Sequence, residues 1–416
     1  MVEQTRVWRP AAMAEVETTA SAPAGFNSVA FAGIGLSCEM LEPVQLASPT
    51  DWGILVSELD SWGKVPDSEA IDSLSVEETD RGPVATLSAE SEWLAEFLPW
   101  GSDGRLRARA KAAPEGSLVP LGGYSWKGTD LIVIRSAEPP STDAAREIAR
   151  ALEADDMTAA QNKLRKAGAV LGRYHVKAEA ARTTPPDPSR WNARTQWLEE
   201  ALRASFIWRA SYSKNQPCTL SLGDVRLSDV SVDSLRIGRP RLADALQNHT
   251  CEFPAMRDLA SMVHDLSRIH HFSRTTLEMT PLRLALIDGW KSTAPANWAS
   301  DDAFYSHRGG LAIWEYEQCL LDVLEATSHQ SGAPEPAVTT LTYVKAYQKR
   351  MFSNRTFGAL SIMAAFFGIT SMINTFPPDI VETPIPIASL ALSYFLFGVY
   401  KRMSPPPERP FTHLGR

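Results

Sequence analysis

The stretch that decides the reading of this chain is Thr219–Ile269, TLSLGDVRLSDVSVDSLRIGRPRLADALQNHTCEFPAMRDLASMVHDLSRI. Asp224, Asp229 and Asp244 fall near the ends of short apolar runs, and Asp258 opens a run with helical spacing. Met256, Leu259, Val263, Leu266 and Ile269 recur at three- and four-residue intervals, which places them on one helix face. Two short strands are expected ahead of that helix. Carboxylates in such a setting are either turn residues closing a hairpin, or a cluster suited to holding a metal ion and accepting a proton. Asp258 also suits the first turn of its helix, where the dipole favours an acid.

Before this stretch the pattern is helical. A first helix is expected over Ser141–Ala154. Thr158 and Gln161 have capping-box spacing, and the helix they would open places Leu164, Ala167, Leu171 and Tyr174 on one face. It should stop near Arg182, ahead of Pro185, Pro186 and Pro188. Another helix is expected from Asn192 to Trp208. Further upstream, residues 26–140 read as a strand-rich unit. SVAFAGIGL from Ser28, GILVSEL from Gly53, PVATLS from Pro83 and TDLIVIR from Thr129 have strand length and turn punctuation. A helix near Gly104–Ala113 interrupts them, and the acidic PDSEAIDSLSVEETDRG from Pro66 reads as a solvated connection. Residues 1–25 lack an apolar signal-peptide region and read as a mobile tail.

After the central stretch, helices are expected over Pro281–Trp290 and Gly310–Ser328, completing a helical unit over 141–330. Trp290, Trp298 and Trp314 should pack it, and Trp52, Trp62, Trp93, Trp100 and Trp126 the front unit. SGAPEPA from Ser331 reads as a linker within a 331–355 juxtamembrane segment. Thr356–Phe376 and Ile385–Tyr400 are then free of charge. The first run spans roughly 30 Å as a helix, the thickness of a hydrocarbon core. Residues 356–400 therefore predict a transmembrane hairpin whose partner is the lipid bilayer, with a membrane-protein partner as a further expectation. Lys345, Lys349, Arg350 and Arg355 flank one end and Lys401 and Arg402 the other, which predicts both termini, including tail 401–416, on the cytoplasmic side. Gly358, Ala359, Ser361, Ala364, Ala365 and Gly368 are small enough for close helix approach. The alternative is a buried helical pair in a soluble domain.

Composition narrows the classes. A net charge of -8, with no basic cluster, argues against a nucleic-acid partner. Cys38, Cys218, Cys251 and Cys319 are far apart and form no C-x-x-C pair, which favours a reducing compartment and disfavours zinc. The adjacent His270 and His271 do not share a helix face. There is no G-x-S-x-G, H-E-x-x-H or Walker A sequence.

The central stretch resembles the catalytic segment of the protein-kinase-like fold, in its aminoglycoside-phosphotransferase branch. That branch carries H-G-D-x-x-x-x-N, a strand ending in Asp, and a helix opening D-L-A. Leu222-Gly223-Asp224, Asp229, Asp244 and Asp258-Leu259-Ala260 stand at those positions. Leu171–His175, LGRYH, resembles the end of the preceding long helix. TDLIVIR and the helix after it resemble the last small-lobe strand, the hinge and the first large-lobe helix. The resemblance covers about 150 residues and implies an α+β, two-lobed domain, with a strand-rich small lobe and a helical large lobe, ahead of the hairpin. It implies phosphoryl transfer with ATP and Mg²⁺, with Asp224 as base and Asp229 and Asp244 on the metal. Gly33 and Gly35 in FAGIGLS would cover the nucleotide. The pattern is departed from at three places: Leu222 replaces His, Asp229 replaces Asn, and SEWLAEFL (Ser91–Leu98) offers no strand lysine. Lys111 and Lys127 are the substitutes available. These departures predict a pseudokinase-like module that binds a nucleotide or a partner at the membrane. An active phosphotransferase for a small-molecule or lipid-linked hydroxyl, and a membrane scaffold without nucleotide, are the alternatives.

Overall fold

The computed structural model describes residues 14–16, 21–33, 36–44, 46–79, 82–102, 105–137, 143–178, 188–201, 218–219, 222, 225–237, 253–296, 298, 310–329, 334–342, 344–374 and 383–403. Strands β1 (Ala14–Val16), β2 (Phe26–Gly33) and β3 (Leu36–Pro43) form an antiparallel sheet. Helix α1 (Pro49–Val56) and β4 (Asp60–Gly63) follow. The run β5 (Ser73–Thr79), β6 (Gly82–Ser88), β7 (Glu92–Ser102), α2 (Arg105–Ala112), β8 (Gly122–Trp126) and β9 (Thr129–Ser136) then completes a six-stranded antiparallel sheet ordered β4-β8-β9-β7-β6-β5.

Two sequence expectations change here. GILVSEL does not form a strand, because Ser48 accepts from Asp51 N while the Asp51 carboxylate accepts from Ser48 N at 2.9 Å. This capping box, with Pro49 at the first helical position, starts α1, which buries Trp52, Leu55 and Val56. The acidic connection contains the edge strand β5, whose Val76 pairs with Ala85 and Glu77 with Val84. An edge strand with one solvated face accommodates the exposed Glu77.

The sheet has two differently used faces. Trp93, Ala95, Phe97, Ile132 and Ile134 pack with Trp52 and Phe26 in a small-lobe core. Leu98, Leu106 and Val133 belong instead to the core of the large lobe.

That lobe contains α3 (Ala144–Glu153), α4 (Met157–Ala178), α5 (Pro188–Ala201), β10 (Cys218–Thr219), β11 (Phe253–Pro254), α6 (Ala255–Ser273), α7 (Met279–Thr293) and α8 (Gly310–His329). The capping residue of α4 is not Thr158. Asp156 accepts from Ala159 N at 2.9 Å, and the Gln161 amide turns to Pro281 O. Leu164, Ala167, Leu171 and Tyr174 do face the core. Helices α4 and α7 nearly touch backbones: a Cβ on Gly168 would stand 2.2 Å from Leu286 O, and one on Gly289 2.1 Å from Arg165 O. Trp290, Trp298 and Trp314 are buried in this lobe.

The short helix α9 (Ala337–Thr342) falls in the segment read as a linker, yet Ala337 and Leu341 are buried in the large-lobe core. It leads to α10 (Val344–Asn374) and α11 (Pro384–Met403), which among the described residues are the two helices long and apolar enough to cross a membrane. They pack as an antiparallel pair. Ser361 Oγ donates to Ser393 O and Ser393 Oγ to Ser361 O, both at 2.8 Å. A Cβ on Gly358 would meet the Tyr400 ring at 3.2 Å, and one on Gly368 would meet Leu390 at 2.9 Å. Ile362, Met363, Phe366, Phe367, Phe395 and Tyr394 point outward and are exposed. A buried pair in a soluble core would have these side chains covered.

Candidate functional site

Helix α6 is amphipathic in an unusual way: beside its apolar stripe it carries Asp258, Ser261 and Asp265, spaced i, i+3 and i+7 on one face. Each of the three holds the backbone of the loop at residues 222–229. Asp258 Oδ1 accepts from Leu222 N at 3.3 Å, Ser261 Oγ donates to Val225 O at 2.8 Å, and Asp265 Oδ2 accepts from Leu227 N at 2.9 Å. The loop closes on a short 3-10 turn, Leu227–Asp229, and a bridge between Val230 and Leu235.

Asp258 is itself held from below. Its Oδ2 lies 3.3 Å from His175 Nε2, at the end of α4, and Trp290 Nε1 donates to His175 Nδ1 at 2.9 Å. An indole N–H only donates, so Nδ1 accepts and the imidazole proton sits on Nε2, facing the carboxylate. Asp258 and His175 are fully buried. Burial lifts the Tyr174 phenol well above its ordinary 10.0; the Asp258 carboxylate pushes it further up, while Arg109 of α2 pulls it back.

Helix α6 is in turn fixed by a buried ion pair and a buried histidine–carboxylate hydrogen bond. Arg257 Nε meets Glu317 Oε2 at 2.7 Å and His264 Nε2 meets Asp322 Oδ2 at 2.7 Å, both from α8. Arg283 of α7 meets Glu315 of α8 at 2.7 Å. Charges taken out of water in this way demand partners, so α6, α7 and α8 are locked in one register.

The small lobe faces this loop with a different arrangement. Counted from the β5 edge, β7 is the third strand of the sheet, and α2 follows it. In protein kinases the third strand carries the phosphate-binding lysine, paired with a glutamate of the next helix. Here β7 presents Glu96, and Arg135 of β9 donates to it at 2.9 Å. Arg135 Nη2 also donates to Ile237 O at 2.8 Å, and Arg236 lies 3.9 Å from Glu96. Leu118 N donates to Leu235 O and Ile237 N to Leu118 O, so backbone bonds seal the same junction. On α2, Arg107 Nε donates to Asp130 at 2.8 Å and its guanidinium covers the Trp62 ring.

Of the expected site residues, Asp229 is buried, and its Oδ2 accepts from Arg226 N at 2.9 Å, which makes it a residue that closes the loop's turn. Asp224, Asp244 and Gly35 lie outside the described residues. Gly33 ends β2 opposite Leu36 and belongs to the three-stranded sheet, not to the β5–β6 hairpin at the edge of the main sheet. Lys111 is exposed near the end of α2. Lys127 is a left-handed turn residue at φ 48, its Nζ 3.2 Å from Ser21 Oγ. His270 Nε2 is bonded to Leu277 O at 2.8 Å and serves the end of α6. No group of three His, Cys, Asp or Glu residues suited to a metal occurs among the described residues.

The reading of the sequence missed His175, Ser261, Asp265, Glu96 and Arg135. For Ser261 and Asp265 a signal existed in the polar stripe that starts at Asp258. For the Glu96–Arg135 pair, contact depends on strand order, which no local spacing carries.

No protein-family model matches the chain, and no curated protein sequence matches it. Among solved structures it is similar to a glucosamine kinase in complex with glucosamine, ADP and inorganic phosphate, at 15% identity and TM-score 0.42, over 79% of this chain and 92% of the other. Two further crystal forms of glucosamine kinase give 13% identity with TM-score 0.44 and 15% with 0.47, over 78% and 81% of this chain and 92% and 94% of theirs. A likeness of this degree assigns this chain neither a substrate nor an activity.

Proposed function

We propose that this protein is a membrane-anchored, pseudokinase-like module, whose kinase-like domain binds a nucleotide or a protein partner at the cytoplasmic face without transferring phosphate. The observation that carries the reading is Glu96. A carboxylate on the third strand repels a triphosphate where a lysine would attract one, and its neighbour Arg135 is spent on Glu96 and on the Ile237 carbonyl. The described residues thus fit Mg²⁺·ATP poorly, and no catalytic step is assigned to that group.

One observation favours a second reading, an active and divergent phosphotransferase acting on a small-molecule or lipid-linked hydroxyl. The loop that would carry Asp224 is held at three backbone positions by α6, which is the kind of preorganisation a catalytic base needs. In that reading Asp224 takes the hydroxyl proton, and Asp229 and Asp244 hold Mg²⁺.

The anchor rests on α10 and α11, apolar outward and joined by serine bonds inward. Alkaline carbonate extraction of membranes containing the full chain tests it. The protein is expected to stay in the pellet; quantitative release into the supernatant contradicts an integral hairpin.

A further inference from the structure

The connection between the large lobe and the hairpin is short. Ala337 and Leu341 of α9 are buried in the large-lobe core, a single residue follows Thr342, and α10 then runs unbroken for 31 residues. Its apolar window begins at Ser353. The helix from Val344 to that point is about 14 Å long at 1.5 Å per residue, about twice the depth of one headgroup layer.

In sequence, the charged residues of α10 and α11 near this level are all basic. Gly358 packs on Tyr400, so the antiparallel register brings Arg355, one turn earlier, level with Lys401–Met403. Lys401 and Arg402 are exposed, and Lys401 Nζ lies 5.0 Å over the Phe397 ring, an ammonium at the rim of an apolar helix. Lys345, Lys349 and Arg350 precede Arg355 along α10, and no Asp or Glu occurs from Ala337 to Pro378 or from Pro384 to Met403. The opposite end of the hairpin carries Asp379 and Glu382 in sequence.

We propose that the lobe-proximal end of the hairpin is a binding collar for anionic phospholipid headgroups, with Arg355, Lys401 and Arg402 at the hydrocarbon boundary and Lys345, Lys349 and Arg350 along the stalk. The proposal rests on the membrane reading above and adds to it a lipid class. A headgroup phosphate held between the two helix ends ties α10 to α11, and through α9 it fixes the height of the kinase-like domain over the membrane. Each cation near an anionic surface strengthens association roughly fivefold, and salt weakens it.

The test is the full chain reconstituted in phosphatidylcholine bilayers containing spin-labelled phosphatidylglycerol or spin-labelled phosphatidylcholine. Electron spin resonance gives the relative association of each label. Phosphatidylglycerol is expected to be preferred several-fold, with the preference falling toward unity in K401Q/R402Q and at molar salt, and kept in K401R/R402K. Inorganic phosphate at millimolar concentration should leave it unchanged; displacement by phosphate would identify a soluble-anion site and overturn the lipid assignment. Equal association of both labels with a chain that is in the bilayer overturns the collar alone. A chain that fails to enter the bilayer overturns the membrane reading and the collar with it.

Discussion

On the large-lobe side of the junction, Asp258, Ser261 and Asp265 reach upward to hold a loop from beneath; His175 and Trp290 back Asp258, and the Arg257–Glu317 pair and the His264–Asp322 bond fix α6 to α8. On the small-lobe side, Glu96 and Arg135 turn toward each other and toward the Ile237 carbonyl. Both regions bury charge. In the first, buried charge positions a segment whose centre, Asp224, is the candidate base. In the second, it joins the sheet to Ile237, at the strand where the proposed reading would place a nucleotide's phosphates. In the proposed pseudokinase-like reading, the loop keeps its support while the opposite wall lacks the complement to a nucleotide.

The largest effect is expected at the base of the large-lobe arrangement. Glu317→Ala removes the carboxylate that pairs with the buried Arg257 guanidinium, and removing one partner of a buried pair costs about 3–5 kcal/mol. Chemical denaturation of the detergent-solubilised chain measures it; a loss below about 1 kcal/mol would mean that α6 is not held by α8 as described.

Asp258→Asn keeps the shape but replaces one acceptor oxygen with a donor. Either Leu222 N–H or His175 Nε2–H then meets an N–H, at a cost of about 1–3 kcal/mol. Hydrogen exchange should quicken at Leu222 more than at Leu227, because Asp265 is untouched. Uniform quickening of the whole lobe would show global loosening instead.

The small-lobe wall is sharpened by a cycle. Arg135→Met removes the ion-pair partner of the buried Glu96, and Glu96→Leu removes that of the buried Arg135. The double variant is expected to be more stable than Arg135→Met, since replacing both members of a buried pair is often close to neutral. A double variant less stable than both singles would show that Arg135 acts chiefly through Ile237 O and Leu118 O.

The smallest effect lies at the surface. Thr275 Oγ1, then Thr276 N, donate to Asp155 and hold its carboxyl below the ordinary 3.8. A depressed folded value contributes stability above the unfolded value and loses it as pH falls through the folded one. Thr275→Val should therefore be less stable than the parent at neutral pH, with the gap closing below pH 3.8. A gap that persists in strong acid would assign the effect to packing rather than to this carboxylate.

Much of the large lobe was legible in the sequence because helical spacing is local: the apolar faces of α4 and α6 and the bounds of α8 follow from residues three and four apart, whereas α10 starts at Val344, well ahead of the charge-free run at Thr356. The small lobe was less legible. GILVSEL has the composition of a strand, and only the Ser48–Asp51 box ahead of it makes a helix. SLSVEET is acidic enough to read as solvated, and edge-strand pairing with β6 overrides that. The site was legible as a scaffold, through LGRYH, L-G-D and D-L-A. The function of His175 was not, because its partners Asp258 and Trp290 lie 83 and 115 residues away.

The central claim is that the loop keeps its support while the small lobe no longer complements Mg²⁺·ATP. Thermal unfolding of the detergent-solubilised full chain with ATP, with and without Mg²⁺, tests it most directly. A ligand at a hundredfold its Kd adds about 2.7 kcal/mol to stability, enough to move Tm clearly. The account predicts no Mg²⁺-dependent rise in Tm. A Mg²⁺-dependent rise that Asp244→Asn abolishes would contradict it and establish the active phosphotransferase in its place.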